Sequence, residues 1–213
     1  VDQLTTTLAE AFNLTVKTFS VAFTANILGG QSSAVKFPSV DFGTVGSTAY
    51  ALGEGIVLSS GDATPPLSNT SSGFTTAGGG PASSILGEAT KDTTLLTFEF
   101  TAPTGARALI FKWMYGTEEF PEFGGAFSDL SAVFVDGVNY LSFSDGQKVL
   151  FDKTTGSNPG TTGFFNNNTA GNVAAAGSVG ALDIEYDGVT PPDILVGLLD
   201  TSLTTHKLQI IVA

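Results

Sequence analysis

The chain has no cysteine, and this absence excludes disulfide bonds, cysteine-based metal sites and thiol catalysis together. Positive charge is also scarce, because 8 Lys and Arg stand against 20 Asp and Glu and the formal net charge is −12. This charge would repel both a polyanion and an anionic lipid surface, so we expect no nucleic-acid partner. No apolar run reaches the roughly 18 residues needed to cross a bilayer, so we expect no membrane insertion by this segment.

Long helical patterns are nearly absent, and so are Trp and Met, with one residue of each against 17 Phe and 26 Gly. Short alternating segments separated by Gly, Asn and Pro are typical of antiparallel strands. The sequence therefore predicts an all-β fold, a single jelly-roll-like β-sandwich of about ten to twelve strands with long polar loops. The length of 213 residues suits one such domain over residues 1–213.

One short helix is predicted at the N-terminus, over residues 4–14, where Leu4, Leu8 and Phe12 share a face. Residues 16–25 then alternate as a strand does. Four Asp-containing turns are expected farther along, at Asp136, Asp145, Asp152 and Asp187. Asp183 and Glu185 alternate along a predicted strand and are expected to face solvent.

The largest group of candidate functional residues lies in the acidic segment, residues 115–129, which separates two apolar runs. It has no Lys or Arg, and it holds four carboxylates within twelve positions: Glu118, Glu119, Glu122 and Asp129. Carboxylates this close repel each other unless something neutralises them, and a hard divalent cation with six to eight oxygen ligands does so. The segment therefore predicts a Ca²⁺ site, and the alternative interpretation is a solvated acidic loop.

Asp62 is a further candidate ligand, because it follows Ser59-Ser60-Gly61 in another predicted loop. A carboxylate there either joins the ion from a second loop or caps a turn. The sequence leaves these two interpretations open.

Three motifs carry a resemblance to a known family. Gly55-Ile-Val-Leu-Ser-Ser-Gly61-Asp62, Tyr115-Gly-Thr-Glu-Glu-Phe-Pro-Glu-Phe123 and Phe127-Ser-Asp129 resemble the choice-of-anchor L domain family of bacterial surface proteins. An Asn-rich stretch at residues 164–172 and a turn at residues 186–188 follow in a similar order. The resemblance covers most of the chain.

The resemblance implies an exported β-sandwich that is extracellular or on the bacterial cell surface. The domain is similar to the Ca²⁺-dependent peptide-binding module of large bacterial adhesins, in which a Ca²⁺ helps to capture the C-terminal carboxylate of a partner peptide. It thus implies an adhesion module with a peptide or protein ligand. By the same resemblance, the ion would be held by Glu118, Glu119, Glu122, Asp129 and Asp62.

One departure opens a second hypothesis. Family members usually continue into an Asp-rich segment and a further strand, whereas this sequence stops at Ala213. The final strand is then missing, lies outside this segment or is supplied by a neighbouring molecule. In the last case the chain is a structural subunit of an extracellular filament or biofilm matrix, and copies of itself are its partners through strand exchange.

Catalysis is not expected. His206 is the only histidine, no nucleophile motif accompanies it, and we expect it to lie at the surface. Glu118 and Glu119 are adjacent and would point to opposite faces of a strand, which does not suit a glycosidase pair.

Overall fold

The computed structural model describes residues 19–24, 27–28, 31–69, 71, 73–76, 80, 83–85, 87–121, 123, 128–151, 162–169 and 182–213. The predicted helix over residues 4–14 lies outside this part of the chain, as do Glu122 and Asp152. Within the described residues, no helix is long and apolar enough to span a membrane.

The prediction of an all-β fold is confirmed. Among the described residues there are 19 strands, of which ten have at least four residues and the others are shorter. In chain order the elements are β1 (Phe19–Thr24), β2 (Ile27–Leu28), β3 (Gln31–Ser32), β4 (Ala34–Phe37), β5 (Val40–Val45), β6 (Thr48–Leu52), β7 (Gly55–Leu58), β8 (Ser83–Ile85), β9 (Glu88–Thr90), β10 (Thr94–Phe100), β11 (Ala108–Trp113), β12 (Gly116–Thr117), β13 (Asp129–Val135), β14 (Val138–Asn139), β15 (Leu150–Phe151), the 3-10 helix η1 (Thr162–Phe164), β16 (Asn166–Asn167), β17 (Gly188–Val189), β18 (Asp193–Leu198) and β19 (His206–Val212).

The main sheet is antiparallel, with the order β1-β10-β19-β13-β14, and β15 extends it by pairing with β13. Its inner face follows from alternation along β10, where Leu96, Phe98 and Phe100 are buried while Glu99 is exposed. The strand that ends the chain, β19, lies in the middle of this sheet between β10 and β13.

A second layer is a two-stranded sheet of β11 and β18. Its inner side chains, Leu109 and Leu195 among them, join the same hydrophobic core as Phe98 and Val135 of the main sheet. Gly197 makes this contact close, because a Cβ there would lie 2.5 Å from Cγ2 of Val135. The two layers therefore pack face to face in a sandwich-like arrangement.

A three-stranded sheet, β12-β17-β16, joins the acidic segment to two distant parts of the chain. Aromatic packing connects it to the main core, because the ring of Phe120 stacks on Phe165 at 5.2 Å and meets Phe151 edge-on at 5.8 Å. The loops that bear the predicted ligands are thus held against a rigid core.

The predicted turn at Asp136 is confirmed, since Asp136 and Gly137 have φ angles of 49° and 86° and join β13 to β14. The expectation that His206 lies at the surface is wrong. His206 is 5% exposed, and its Nδ1 lies 2.8 Å from Oδ2 of Asp136. The lone histidine is therefore part of the framework, because a buried imidazole needs a polar partner.

Candidate functional site

The candidate site forms where β12 lies beside the turn at residues 182–188. Gly116 allows this approach, because a Cβ at that position would lie 2.6 Å from Cδ2 of Tyr186. Gly188 does the same on the neighbouring strand, where a Cβ would lie 2.5 Å from Cβ of Phe120. The two glycines bring the acidic segment into contact with a second set of acidic residues.

The side chain of Asn168 gives this turn its shape. Its Oδ1 accepts from the backbone N–H of Leu182 at 2.7 Å, and its Nδ2 donates to the carbonyl oxygens of Ile184 and Tyr186 at 2.9 and 3.0 Å. Asn168 is almost fully buried. Its side chain supplies the hydrogen bonds that strand pairing would otherwise give to the backbone groups of this irregular turn. One amide thus positions the residues on either side of Tyr186.

Those residues are Glu185 and Asp187, and both side chains are 0% exposed. The expectation that Glu185 faces solvent is therefore wrong, because residues 182–187 form an irregular turn and not an alternating strand. Asp187 Oδ1 accepts from Nδ2 of Asn69 at 2.7 Å, and Glu185 Oε1 accepts from the backbone N–H of Ser71 at 3.0 Å. Asn69 and Ser71 thus cover both carboxylates.

Glu118 faces the same pair of acids from β12's side. Its Oε1 accepts from the backbone N–H of Phe74 at 2.8 Å. Burial, together with the charges of Asp187 and Glu185, raises the pKa of Glu118 to about 8 against the opposing effect of hydrogen bonds from backbone N–H groups. No positively charged side chain contributes to this shift. Among the described residues, Glu118 therefore has no compensating positive charge.

Glu119 and Asp129 lie in a different environment, next to Tyr115. Oδ2 of Asp129 accepts from Oγ1 of Thr117 at 2.5 Å, and burial raises the pKa of Asp129. Burial raises the pKa of Tyr115 well above its usual value, and the charges of Asp129 and Glu119 add to this effect. The two adjacent glutamates thus point towards different partners, although they follow β12 in an irregular segment and do not lie on a strand.

Tyr186 connects the two environments. Burial raises its pKa to about 12, and the charges of Glu118, Asp129 and Asp62 all act in the same direction. Four of the five predicted ligands are therefore brought into one region of the molecule, since the charges of Glu119 and Asp129 both act on Tyr115. The fifth, Glu122, lies outside the described residues.

Asp62 has a turn role in this structure. Its Oδ1 accepts from the backbone N–H and from Oγ1 of Thr64, at 3.0 and 2.6 Å. Its own backbone N–H donates to Oγ1 of Thr76 at 2.8 Å. Gly61 is needed for this approach, because a Cβ there would overlap the carbonyl oxygen of Thr76. The glycine and the aspartate of the Gly55 motif thus close the loop that covers the acids.

The donor set fits a hard cation in chemistry. Two oxygens, Oε2 of Glu118 and Oδ1 of Asn69, are buried and have no hydrogen-bond partner among the described residues, and the hydroxyl of Tyr115 is in the same state. In that same part of the chain, no three Asp, Glu or His side chains converge closely enough to hold a metal ion. Binding would therefore require these carboxylates to move closer to one another. A cation makes this movement favourable because it offsets the repulsion between their negative charges.

Sequence reasoning missed Asn69, Asn168, Glu185 and Asp187. The sequence indicates Asp187 only as a turn residue beside Gly188. Their burial depends on a loop more than a hundred positions away in the chain, from Asn69 to Asp187. No local pattern in the sequence reports that contact.

Comparison with known families gives one match, to the model of the choice-of-anchor L domain, over residues 13–190. No curated protein and no solved structure matches the chain. The matched range contains the acidic segment, the Asn-rich stretch and the turn at residues 182–188. The chain belongs to the choice-of-anchor L domain family, and this membership places it among bacterial surface-associated proteins.

Proposed function

We propose that this chain is an extracellular Ca²⁺-binding adhesion module that holds a peptide or protein ligand through its Ca²⁺-bearing loops. The observation that carries the proposal is the group of buried acids around Tyr186. Glu118 there has a carboxylate oxygen that is buried without a hydrogen-bond partner, and its pKa is raised to about 8. A buried carboxylate in this state is costly unless a cation or a proton compensates it.

Calcium suits the group better than magnesium does. Ca²⁺ accepts six to eight oxygens in flexible geometry, whereas Mg²⁺ needs a tight octahedron. Glu118, Glu119 and Asp129 would hold the ion, with Glu122 and Asp62 as the other predicted ligands. When bound, the ion would supply positive charge and an open coordination position to a loop region that otherwise carries only negative charge.

The loops around this group suit recognition. Residues 61–69 and 116–121 are anchored to the core through Gly61, Phe120 and Asn69, so the ion would sit on a rigid support. A carboxylate at the end of a partner peptide is a hard oxygen ligand and would complete the coordination of a Ca²⁺. The acidic protein alone would repel such a group, so capture is expected to depend on the ion.

Calorimetric titration tests both steps on the whole chain. Ca²⁺ is added to metal-free protein first, and a pool of short peptides follows, either with free C-terminal carboxylates or with the same ends amidated. We expect Ca²⁺ to bind, and we expect only the free carboxylates to bind afterwards. Asp129→Asn should weaken the first step, and Glu99→Gln, an exposed control on β10, should not.

Two results would count against the proposal. If Ca²⁺ gives no binding heat and no change in stability, the ion-binding step is wrong. If free and amidated peptides bind equally, or if neither binds, the capture of a carboxylate is wrong even where the ion is held.

A second candidate function is a structural subunit of a filament or matrix that assembles by strand exchange. It is favoured by β1, which forms one edge of the main sheet and pairs with β10 only, among the described residues. An exposed edge accepts an added strand. Assemblies that grow without limit as protein concentration rises would favour this candidate, and a species that stays small would count against it.

A further inference from the structure

The outer face of the β11–β18 sheet is apolar and exposed. Seven large hydrophobic side chains are exposed among the described residues, and four of them lie on this face. The four are between 48% and 63% exposed: Ile110, Ile194, Val196 and Leu198. Single exposed apolar residues are normal on a protein surface, but a contiguous set marks an interaction site.

The strand register makes these side chains contiguous. Ile110 lies opposite Val196, and Leu198 lies opposite Ala108. Side chains directly opposite each other on one face of an antiparallel pair are about 5 Å apart. The alternate residues, such as Leu109 and Leu195, fill the core, so the outer set cannot turn inwards without a change of register.

The charge of this face differs from that of the chain. Its six outward positions, all of them described, carry one positive charge at Lys112 and no negative charge. The chain as a whole carries −12. Two copies that meet at this face therefore bring no carboxylates of its outward positions together.

Each end of the face carries exposed charges of both signs, Lys112 and Asp193 at one end and Arg107 and Asp200 at the other. Lys112 stands at one end, where its Nζ is held by the carbonyl oxygen of Ala51 at 3.0 Å. Asp200 follows β18 at the other end and is exposed. A two-fold axis parallel to the strands would place β11 of one copy over β18 of the other. It would bring Lys112 towards Asp193 of the second copy, and Arg107 towards Asp200. Such a contact uses the same patch twice and closes at two copies.

We propose that the outer face of β11 and β18 binds a second copy of this chain, in a weak symmetric dimer. This contact goes beyond the proposed binding of Ca²⁺ and peptide, because it uses neither the acidic loops nor the edge of β1. A face of two six-residue strands is about 20 Å long and about 10 Å wide. It offers a few hundred Å², less than the roughly 800 Å² per partner of a standard interface.

The small area is the reason to expect weak association. Proteins displayed together on a cell surface have a high local concentration, and tethering makes a weak contact effective. The chain belongs to a family of surface-associated proteins, so a weak contact between copies is of use there.

Sedimentation equilibrium over a range of concentrations tests the proposal, both with Ca²⁺ and with EDTA. We expect the mean mass to rise from that of the 21.8 kDa monomer towards twice that value in either condition. The double variant Ile110→Thr, Val196→Thr keeps β-branched side chains at both positions and should remain monomeric. The control Leu67→Thr also replaces an exposed apolar side chain by Thr, but in a loop, and it should associate as the wild type does.

Three results would overturn the proposal. The first is a wild type that stays monomeric up to about 1 mM, the weak end of measurable affinities. The second is association that the double variant does not reduce, or that continues past the dimer as strand exchange would. The third is that the double variant, unlike the control, melts far below the wild type when variant and wild type are both monomeric. Such a result would mean that another part of the same molecule covers the face. Association in EDTA without any Ca²⁺ binding would support this dimer and count against the proposed function alone.

Discussion

Oδ2 of Asp136 lies 2.8 Å from Nδ1 of His206, and both side chains are almost fully buried. The pair joins the turn between β13 and β14 to the first residue of β19. Asp136 also accepts from the backbone N–H groups of Lys207 and Asp200, at 2.8 and 2.9 Å. One carboxylate thus connects three segments at this end of the sandwich.

Loss of this carboxylate should destabilise the fold. We expect Asp136→Ala to lower the free energy of unfolding by about 3 kcal/mol, since removal of one member of a buried pair leaves the other without compensation. Urea unfolding at pH 7 measures the change. Asp145→Ala is the control, because Asp145 also accepts from a backbone N–H two residues on but is exposed. Equal losses in the two variants would contradict the role of the buried pair.

The same carboxylate gives a pH dependence. Burial raises the pKa of Asp136, but the hydrogen bonds from Lys207, Asp200 and His206 outweigh burial and lower it below the usual 3.8. A lowered pKa stabilises the folded state above the unfolded-state value, and this stability is lost as the pH falls through the folded-state pKa. We therefore expect the stability gap between wild type and Asp136→Ala to narrow below about pH 4. A gap that stays constant down to pH 2 would contradict this assignment.

The side chain of Asn168 should contribute strongly to the stability of the fold. We expect Asn168→Ala to cost roughly 3 kcal/mol of stability, because it leaves several buried backbone groups of residues 182–186 without partners. Asn168→Asp keeps the shape but replaces the donor by an acceptor that faces carbonyl oxygens, so it should also destabilise. If Asn168→Asp melts as the wild type does, the amide does not shape this turn.

Gly116 should tolerate no side chain. A Cβ there would lie 2.6 Å from the ring of Tyr186, so we expect Gly116→Ala to lower stability by about 1 to 3 kcal/mol. Gly53→Ala is the matched control, since a Cβ at Gly53 meets nothing within 4 Å. Thermal melts of the two variants provide the comparison, and an unchanged Gly116→Ala would contradict the close packing of β12 on the turn.

The raised pKa of Glu118 predicts an opposite pH response in metal-free protein. A carboxyl whose folded-state pKa is about 8, against an ordinary value of 4.5, favours folding below pH 4.5 and loses this contribution as the pH rises to about 8. Without metal, we expect Glu118→Gln to gain stability over the wild type at pH 8 and to show no gain at pH 4. Glu99→Gln should show no such difference. A Glu118→Gln variant that is less stable at pH 8 would contradict the uncompensated carboxylate.

Local patterns were enough to predict the all-β fold and much of its turn chemistry. Alternation fixed the buried side of β10, and Asp136-Gly137 has the turn conformation that this dipeptide favours. The burial of His206 and Glu185 could not be read in the same way. Each depends on a partner far away in the chain, Asp136 for His206 and Ser71 for Glu185.

The candidate site shows the same division. The sequence singled out Glu118 and Asp129 because like charges cluster in one segment, and the fold does bring them near Tyr186. The sequence did not indicate Asn69 or Asp187 as site residues, because an amide in a polar loop and an acid in a turn commonly serve only to stabilise the turn. Only the closure of residues 61–76 over the turn reveals them.

The most direct test of the central claim is a thermal melt in millimolar Ca²⁺ and in excess EDTA, for the wild type, Glu119→Ala and Asp129→Ala. A ligand that binds only the folded state adds RT ln(1 + [L]/Kd), about 2.7 kcal/mol at a hundredfold excess over Kd. We predict a clear Ca²⁺-dependent rise in the melting temperature of the wild type and a smaller rise in both variants. Equal melting temperatures in Ca²⁺ and EDTA for the wild type would contradict the Ca²⁺ site.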